Sequence, residues 1–549
     1  MVVPARNEEQ RIAACIRALA GQTGIPCAAY EVLLVLDRCT DHTRASAARA
    51  CAGSKLALHV LESARPGAGA ARRTGMDLAC DRLLSVGPPS GLIASTDADT
   101  VVAPDWLSVQ LSLVEGGALA IGGELELEST EAARLPAGML ADRREQARAR
   151  LEGIVERDRG GAEHHFFSGA SLALTAETYR AIGGLPERAA LEDEALQRAL
   201  EDLAIPILRP SSVRVRTSAR LDGRAPRGLA RDLGLADWRA RRTFDVEQFS
   251  LADLVRRREQ TVSLIIPARE VASTIGEIVG ASVALRYAGL LDEILVIDAE
   301  SSDGTAELAS RAGATVLQER EILPSFGPAR GKGDAMWRGL AASTGQIVAY
   351  IDADTEEFEP RFVIGLLGPL ITRPEISYVK GAFARPMRIG TETLPREGGR
   401  VTELVARPLL NLYMPELAGF DQPLAGELAG RRELLAQLPF CAGYGVEIAM
   451  LIDAARAAGI DAVAQVQLGT RLNRHQPLRD LSAMAYAVIT AAASRLGRLG
   501  SAPAPGPLAL PPLERGGPVE LRQVVVDERP PLQSLTPRVS DVDVDMVEV

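Results

Sequence analysis

Two carboxylates, two residues apart, close an apolar run twice in this chain: Asp97-Ala98-Asp99 and Asp352-Ala353-Asp354. The run before the second, Ile347-Val348-Ala349-Tyr350-Ile351, reads as a buried strand. At i and i+2 on extended backbone, both side chains leave toward the same face. One of them can hold a divalent cation while the other meets a ribose or the cation's waters. Mg²⁺ takes one or two carboxylates and completes its shell with water and substrate phosphate. Placed so, it stabilises the charge that develops on a departing diphosphate. A solvated acidic turn is the plain alternative for one such triplet, but two copies in the same context favour a site. A second candidate is Arg330-Gly331-Lys332-Gly333-Asp334. Its glycines allow close backbone approach, Lys332 offers phosphate a point charge, and a following helix adds its positive end. Asp334 stands where a P-loop needs Ser or Thr, so that motif is absent. A basic surface loop remains the alternative.

The elements that must position these residues occur twice. Val2-Val3-Pro4-Ala5-Arg6 recurs as Ile265-Ile266-Pro267-Ala268-Arg269, and Leu33-Leu34-Val35-Leu36-Asp37 as Ile294-Leu295-Val296-Ile297-Asp298. Asp41-His42-Thr43 matches Asp303-Gly304-Thr305. With the acidic triplets, this is one order of signatures repeated at an offset of about 260 residues, which means tandem domains and not a solenoid. Each copy reads as strand, helix (8–20; 271–284), strand ending in Asp, loop, helix, and strand ending in the triplet. Such alternation predicts βαβ units on a parallel sheet, with ligand held outside the carboxyl ends of the strands. Met1-Val2-Val3 leaves little room for a first strand.

The 549 residues are 47% hydrophobic and 24% charged, the composition of a globular protein of several domains. A net charge of −11 argues against a general nucleic-acid binder. No run of 18 apolar residues occurs, so no membrane span is expected. Ala483–Ala493 reads as a buried helix. Charges from Arg6 onward predict no secretory leader. The six cysteines contain no C-x-x-C pair, and free thiols in a reducing cytoplasm are expected. The expected organisation is one domain over 1–216, a connector over 217–260, a second domain over 261–500, and a Pro-rich, then acidic, tail over 501–549. That tail should be partly disordered or draped on the surface.

The string Pro4-Ala5-Arg6-Asn7-Glu8-Glu9, together with Asp37 and Asp97-Ala98-Asp99, resembles family 2 glycosyltransferases of the GT-A fold. The second copy resembles the glucosyl-3-phosphoglycerate synthases and the related mannosyl enzymes. The distinctive stretches are 398–408 (Gly-Gly-Arg-Val-Thr-Glu-Leu-Val-Ala-Arg-Pro), 422–427 (Gln-Pro-Leu-Ala-Gly-Glu) and 443–448 (Gly-Tyr-Gly-Val-Glu-Ile). The resemblance implies two tandem α/β, Rossmann-like nucleotide-diphospho-sugar transferase domains. It implies Mg²⁺ or Mn²⁺ as cofactor, and a nucleotide sugar and 3-phosphoglycerate as substrates. It implies retention at the anomeric carbon in the second domain, a homodimer, and a cytoplasmic location.

In the second copy the resemblance assigns Pro267, Ala268, Glu270, Lys332, Asp352 and Leu424 to the nucleotide sugar. Gly399, Arg400, Thr402 and Tyr444 go to the acceptor, Asp354 to the metal, and Glu447 to the sugar and acceptor as the catalytic carboxylate. A guanidinium and a helix-start hydroxyl suit an acceptor as anionic as phosphoglycerate. In the first copy Pro4, Asn7, Glu8, Asp37 and Asp97 would meet the nucleotide and Asp99 the metal. Leu191-Glu192-Asp193-Glu194 resembles the acidic element of inverting enzymes, with Asp193 as general base. A capped helix start would account for the same residues. No role is assigned to His164 or His165.

The chain departs from the family at two places. Arg269-Glu270-Val271-Ala272 replaces the usual Asn-Glu-Glu, which displaces the acid expected at the base. Asn473-Arg474-His475-Gln476-Pro477 replaces a His-Arg-Asn loop. His475 is then the expected metal ligand, reached by a loop shift, or the metal keeps an extra water. The first domain reads as a second transferase of unknown acceptor. The alternatives are a non-catalytic module that binds sugar nucleotide or organises a dimer, or a nucleotidyltransferase. A processive polysaccharide synthase would need a channel and a Gln-x-x-Arg-Trp motif, and the chain has neither.

Overall fold

The computed structural model describes residues 1–86, 91–158, 161–186, 191–223, 228–389, 392–394, 398–471, 477–496, 508–510 and 520–535. The chain forms two compact units, Met1–Ala240 and Arg241–Val549. In the first, a seven-stranded sheet runs Ala57–Glu62, Glu31–Leu36, Val2–Ala5, Leu92–Ser95, Leu172–Thr175, Ala120–Gly122, Ile207–Leu208. In the second, an eight-stranded sheet runs Thr315–Gln318, Glu293–Asp298, Val262–Ala268, Ile347–Tyr350, Leu428–Arg431, Tyr378–Ala384, Val463–Thr470, Thr243–Asp245. Each sheet therefore has strand order 3-2-1-4 in parallel, followed by one antiparallel strand. This is the α/β architecture of the GT-A fold, present twice.

The strands form where the apolar runs stand. Val32–Leu36 and Ile294–Asp298 are buried throughout, as parallel strands covered on both faces must be. The first strand forms, with four residues against seven in its counterpart Val262–Ala268. Val2–Ala5 is buried at all four residues and pairs on both sides, because Pro4 and Ala5 extend it. In both units the helix after the third strand presses a glycine onto the sheet. A Cβ on Gly75 would lie 2.4 Å from Val2, and one on Gly339 2.6 Å from Ile265. The first helices start later than expected, at Ile12 and Ile275, because Asn7 and Glu270 precede them with left-handed backbone, φ 54° and 52°. Leu478–Leu496 is the expected helix around Ala483–Ala493, but it is buried only along Ala487, Val488, Ala491 and Ala492, with Ile489 exposed.

The segment expected as a connector does not stand apart. Ser218 and Ala219 bond Glu131 of the first unit, and Thr243–Asp245 is the edge strand of the second sheet. Part of the expected loose tail is also built in: Glu528–Arg529 pairs antiparallel with Phe440–Cys441. No described helix is long and apolar enough to cross a membrane, and the six cysteines are free.

Candidate active site

In the second unit the carboxyl ends of the parallel strands open on a cleft of about 900 Å³. Pro267 and Ala268 end the first strand there, Asp352 and Asp354 follow the fourth, and Lys332 begins the helix Lys332–Ala342. Gly399, Arg400, Thr402, Leu424, Tyr444 and Glu447 line the same cleft. The residues expected at donor and acceptor thus line one cavity, with two exceptions. Glu270 is not among the lining residues: its Oε1 accepts from Ser302 N at 2.9 Å, turned into the loop by the left-handed backbone. Asn473 and His475 lie outside the described residues.

The floor of the cleft is a web of charges. Lys332 Nζ lies 2.5 Å from Asp352 Oδ1 and 2.7 Å from Glu447 Oε1. Burial works against the charge on Lys332, but Asp352 and Glu447 outweigh it and hold the ammonium protonated. Burial likewise works against Asp352, and Lys332 and Arg471 pull its carboxyl well below the usual range. Arg471, one residue past the strand Val463–Thr470, reaches Asp352 Oδ2 and Asp354 Oδ1 at 3.3 Å each and also pairs with Glu427. Gly426 must be glycine, because a Cβ would stand 2.0 Å from Asp352 Oδ1 and 2.4 Å from Lys332 Nζ. Asp352 is thereby committed to cations of the protein, whereas the side chain of Asp354 is 66% exposed.

Among the described residues no three His, Cys, Asp or Glu side chains are grouped to hold a metal. One open carboxylate, Asp354, beside a basic cleft fits a cation that arrives with most of its shell made of diphosphate and water. Motif reading missed Arg471 and Lys380, and gave Glu427 no role although it ends the 422–427 stretch. Lys380 is fully buried, with Nζ 3.4 Å from the carbonyl of Glu447. Burial pushes its ammonium down to about 7, and Glu447 offsets part of that.

In the first unit the same strand ends gather Asp97, Asp99, Glu8 and the acidic helix start. Arg72 is buried and donates to Asp97 Oδ1 at 2.6 Å, Glu192 Oε1 at 3.2 Å, Ser95 Oγ at 2.6 Å and Gly169 O at 3.0 Å. Asp193, next to Glu192, accepts from Gly169 N at 3.1 Å. Burial, with Glu192 beside it, raises its carboxyl. Arg220 closes the group: it forks onto Glu8 at 2.8 and 3.0 Å and reaches Asp99 at 2.8 Å. Asp37 is buried and accepts from Gly67 N at 2.9 Å. Asn7 Oδ1 caps the neighbouring loop through Thr40 N at 2.8 Å. Asn7 and Glu8 border a cavity of about 270 Å³ with Glu9, Gln10, Arg11 and Asp41. Pro4 stays within the first strand. His164 bonds the carbonyl of Pro210, and His165 packs against Phe166.

Comparison with known proteins agrees with this geometry. The profile described as glycosyl transferase family 2 matches residues 1–170 and 263–407. A glucosyl-3-phosphoglycerate synthase of Petrotoga mobilis is 44% identical over 266 residues, covering 47% of this chain and 82% of its own. One from Mycolicibacterium paratuberculosis is 40% identical over 311 residues, covering 55% and 93%. The crystal structure of mannosyl-3-phosphoglycerate synthase from Rubrobacter xylanophilus is 46% identical, with TM-score 0.50, covering 54% of this chain and 98% of that one. With the repeated sheet and the strand-end carboxylates already placed, these matches mean that the chain belongs to glycosyl transferase family 2 and is a hexosyltransferase.

Proposed function

We propose that the second unit transfers glucose, or mannose, from a nucleotide sugar to the hydroxyl of 3-phosphoglycerate with retention. The observation that carries this reading is that one cleft is lined by Lys332, Asp352 and Asp354 together with Gly399, Arg400, Thr402 and Tyr444. Lys332 meets the donor phosphates or sugar together with Asp352, and Pro267, Ala268 and Leu424 shape the nucleotide pocket. Asp354 would hold Mg²⁺ or Mn²⁺, which supplies charge stabilisation for the leaving diphosphate. Arg400 presents a planar fork to the acceptor's carboxylate or phosphate. Glu447, held by Lys332, sits where sugar and acceptor meet.

The first unit is a second transferase of unknown acceptor, with Asp193 as base. Its Asp97–Arg72–Glu192 link joins the triplet to the acidic helix. A non-catalytic role for this unit is the second reading, favoured by the hold of Arg220 on Asp99 and Glu8. One panel tests both: UDP- and GDP-sugars with and without 3-phosphoglycerate, products read by mass. A glycosylated phosphoglycerate and free nucleoside diphosphate support the reading. Pyrophosphate release, or no acceptor dependence, counts against it. Metal-dependent sugar-nucleotide hydrolysis that survives Asp354→Asn belongs to the first unit.

A further inference from the structure

The structure assigns a positioning role in donor binding to the C-terminal segment 520–535, exerted through Arg529; this rests on reading the cleft as a nucleotide-sugar site. The loop between the strand Thr315–Gln318 and the helix Lys332–Ala342 forms one wall of that cleft. It contributes Glu319, Arg320, Ala329, Arg330 and Gly331 and delivers Lys332. Such an irregular loop needs partners for its carbonyls. Two guanidiniums provide them. Arg338 donates to the carbonyls of Glu319, Ile322, Leu323 and Gly327. Arg529, far later in the chain, donates to Phe326 O at 2.6 Å and Pro328 O at 3.1 Å.

Both arginines meet on Asp334, which is fully buried: Arg338 Nε at 3.2 Å, Arg529 at 2.9 and 2.6 Å. Asp334 Oδ2 also accepts Arg330 N at 3.0 Å, so the carboxylate fixes the turn just before Lys332. The guanidinium of Arg529 lies 5.7 Å over the ring of Trp337, whose Nε1 donates to Pro530 O at 2.9 Å.

The same segment also holds the neighbouring stretch Phe440–Ala442, whose Ala442 carbonyl accepts Asp334 N at 3.1 Å. Glu528–Arg529 pairs with Phe440–Cys441, Ala442 N donates to Asp527 O at 2.8 Å, and Gln523, Val524 and Val525 line the cleft. The strand Phe440–Cys441 leads directly into Gly443, Tyr444 and Glu447. The segment therefore spans the two pieces of chain that bring Lys332 and Glu447 to 2.7 Å from each other. Arg529 touches no substrate position. It acts through the loop that sets the Lys332 ammonium.

The test uses the full chain with Arg529→Lys and, separately, Arg529→Gly. Magnesium–UDP and magnesium–GDP are titrated without acceptor, and KM is measured for UDP-glucose and for 3-phosphoglycerate. Lysine keeps the charge but cannot bridge Asp334 and two carbonyls, so donor binding should weaken roughly tenfold. The KM for 3-phosphoglycerate should hold near its wild-type value. Millimolar guanidinium should restore donor binding to Arg529→Gly. Amide hydrogen exchange over residues 320–331 should quicken in both variants and slow again with guanidinium. Wild-type donor affinity, equal weakening of both substrates, or a lowered Tm with unchanged KM values would overturn the proposal. Should the wild type turn over no 3-phosphoglycerate, the acceptor reading fails, while the nucleotide titration and the exchange data still decide the role of Arg529. Arg529→Lys keeps these readouts available if the glycine variant does not fold.

Discussion

In the first unit the second carboxylate of the triplet is enclosed: the Asp99 side chain is 14% exposed and bound by Arg220. In the second unit its counterpart Asp354 is 66% exposed and shares Arg471, at 3.3 Å, with Asp352 and Glu427. The strand order and the preceding strand are alike in both, but the arginines come from different places: Arg471 follows the main-sheet strand Val463–Thr470, and Arg220 lies three residues past Arg214–Thr217 of a separate three-stranded sheet. Burial, with Asp97 beside it, pushes Asp99 up to about 6 although Arg220 opposes the shift. Both arginines have other carboxylate partners, so what separates the two positions is exposure: Asp99 is enclosed and Asp354 faces solvent. Arg471 is divided among Glu427, Asp352 and Asp354. Arg220 has Glu8 and Asp99 alone among the partners resolved within ion-pair distance.

The sharpest way to break this comparison is to neutralise one carboxylate at a time. Asp354→Asn should lower kcat for the phosphoglycerate reaction by roughly 10²–10³, the usual cost of losing a preorganised electrostatic stabiliser. The fold should survive, since an exposed carboxylate supports no core. Asp99→Asn should leave that same reaction at its wild-type rate. Equal loss in both variants would mean that the two units share one reaction.

The acceptor side of the second unit comes next. Arg400→Lys keeps the charge and loses the planar fork. A charge-assisted pair is worth about 1.5–3 kcal/mol, or roughly 10- to 150-fold in the KM for 3-phosphoglycerate. The KM for nucleotide sugar should barely move. Normal kinetics for both substrates would mean that another group grips the acceptor.

The repeated half of the fold was legible because both copies keep the same hydrogen bonds as well as the same apolar runs. Glu8 N and Val271 N donate to Thr43 and Thr305, and Glu9 N and Ala272 N to Asp41 and Asp303. Short strings such as Asp-x-Thr carry these contacts, so the sequence displays them. Arg471 and Lys380 were not legible, since each meets the triplet or Glu447 only through the sheet, from strands far along the chain. Glu270 was misplaced by its letter alone: a left-handed backbone turned it into the loop. Composition held one unused signal. Of 61 Lys and Arg residues, three are lysine, at 55, 332 and 380. Two of these three lie at the candidate active site of the second unit.

A third measurement addresses the first unit. Arg220→Ala leaves Glu8, Asp97 and Asp99 with one cation fewer. An uncompensated buried charge costs about 1–3 kcal/mol, which at about 2–4 °C per kcal/mol should lower the melting of this unit by several degrees. Millimolar Mn²⁺ should restore part of the loss if the carboxylates admit a cation. A melting point that falls and ignores Mn²⁺ would favour the non-catalytic reading of this unit.

The smallest effect concerns Lys380, for which the described strands of the first unit offer no lysine. Its ammonium sits at about 7 in the fold because burial penalises the charge, against 10.5 for an ordinary lysine. Between those values the unfolded chain keeps a proton that the folded chain has shed. The unfolded state binds more protons there, so stability rises with pH across that window. Lys380→Met fills the same space without a charge and has no such term. Wild type should therefore melt below the variant near pH 7 and gain on it steadily toward pH 10. Calorimetry that follows the transition of the second unit at pH 7, 8.5 and 10 would show this. A gap that stays constant with pH would mean that Lys380 keeps its proton in the fold, paired more closely with Glu447 than the 3.4 Å carbonyl contact indicates.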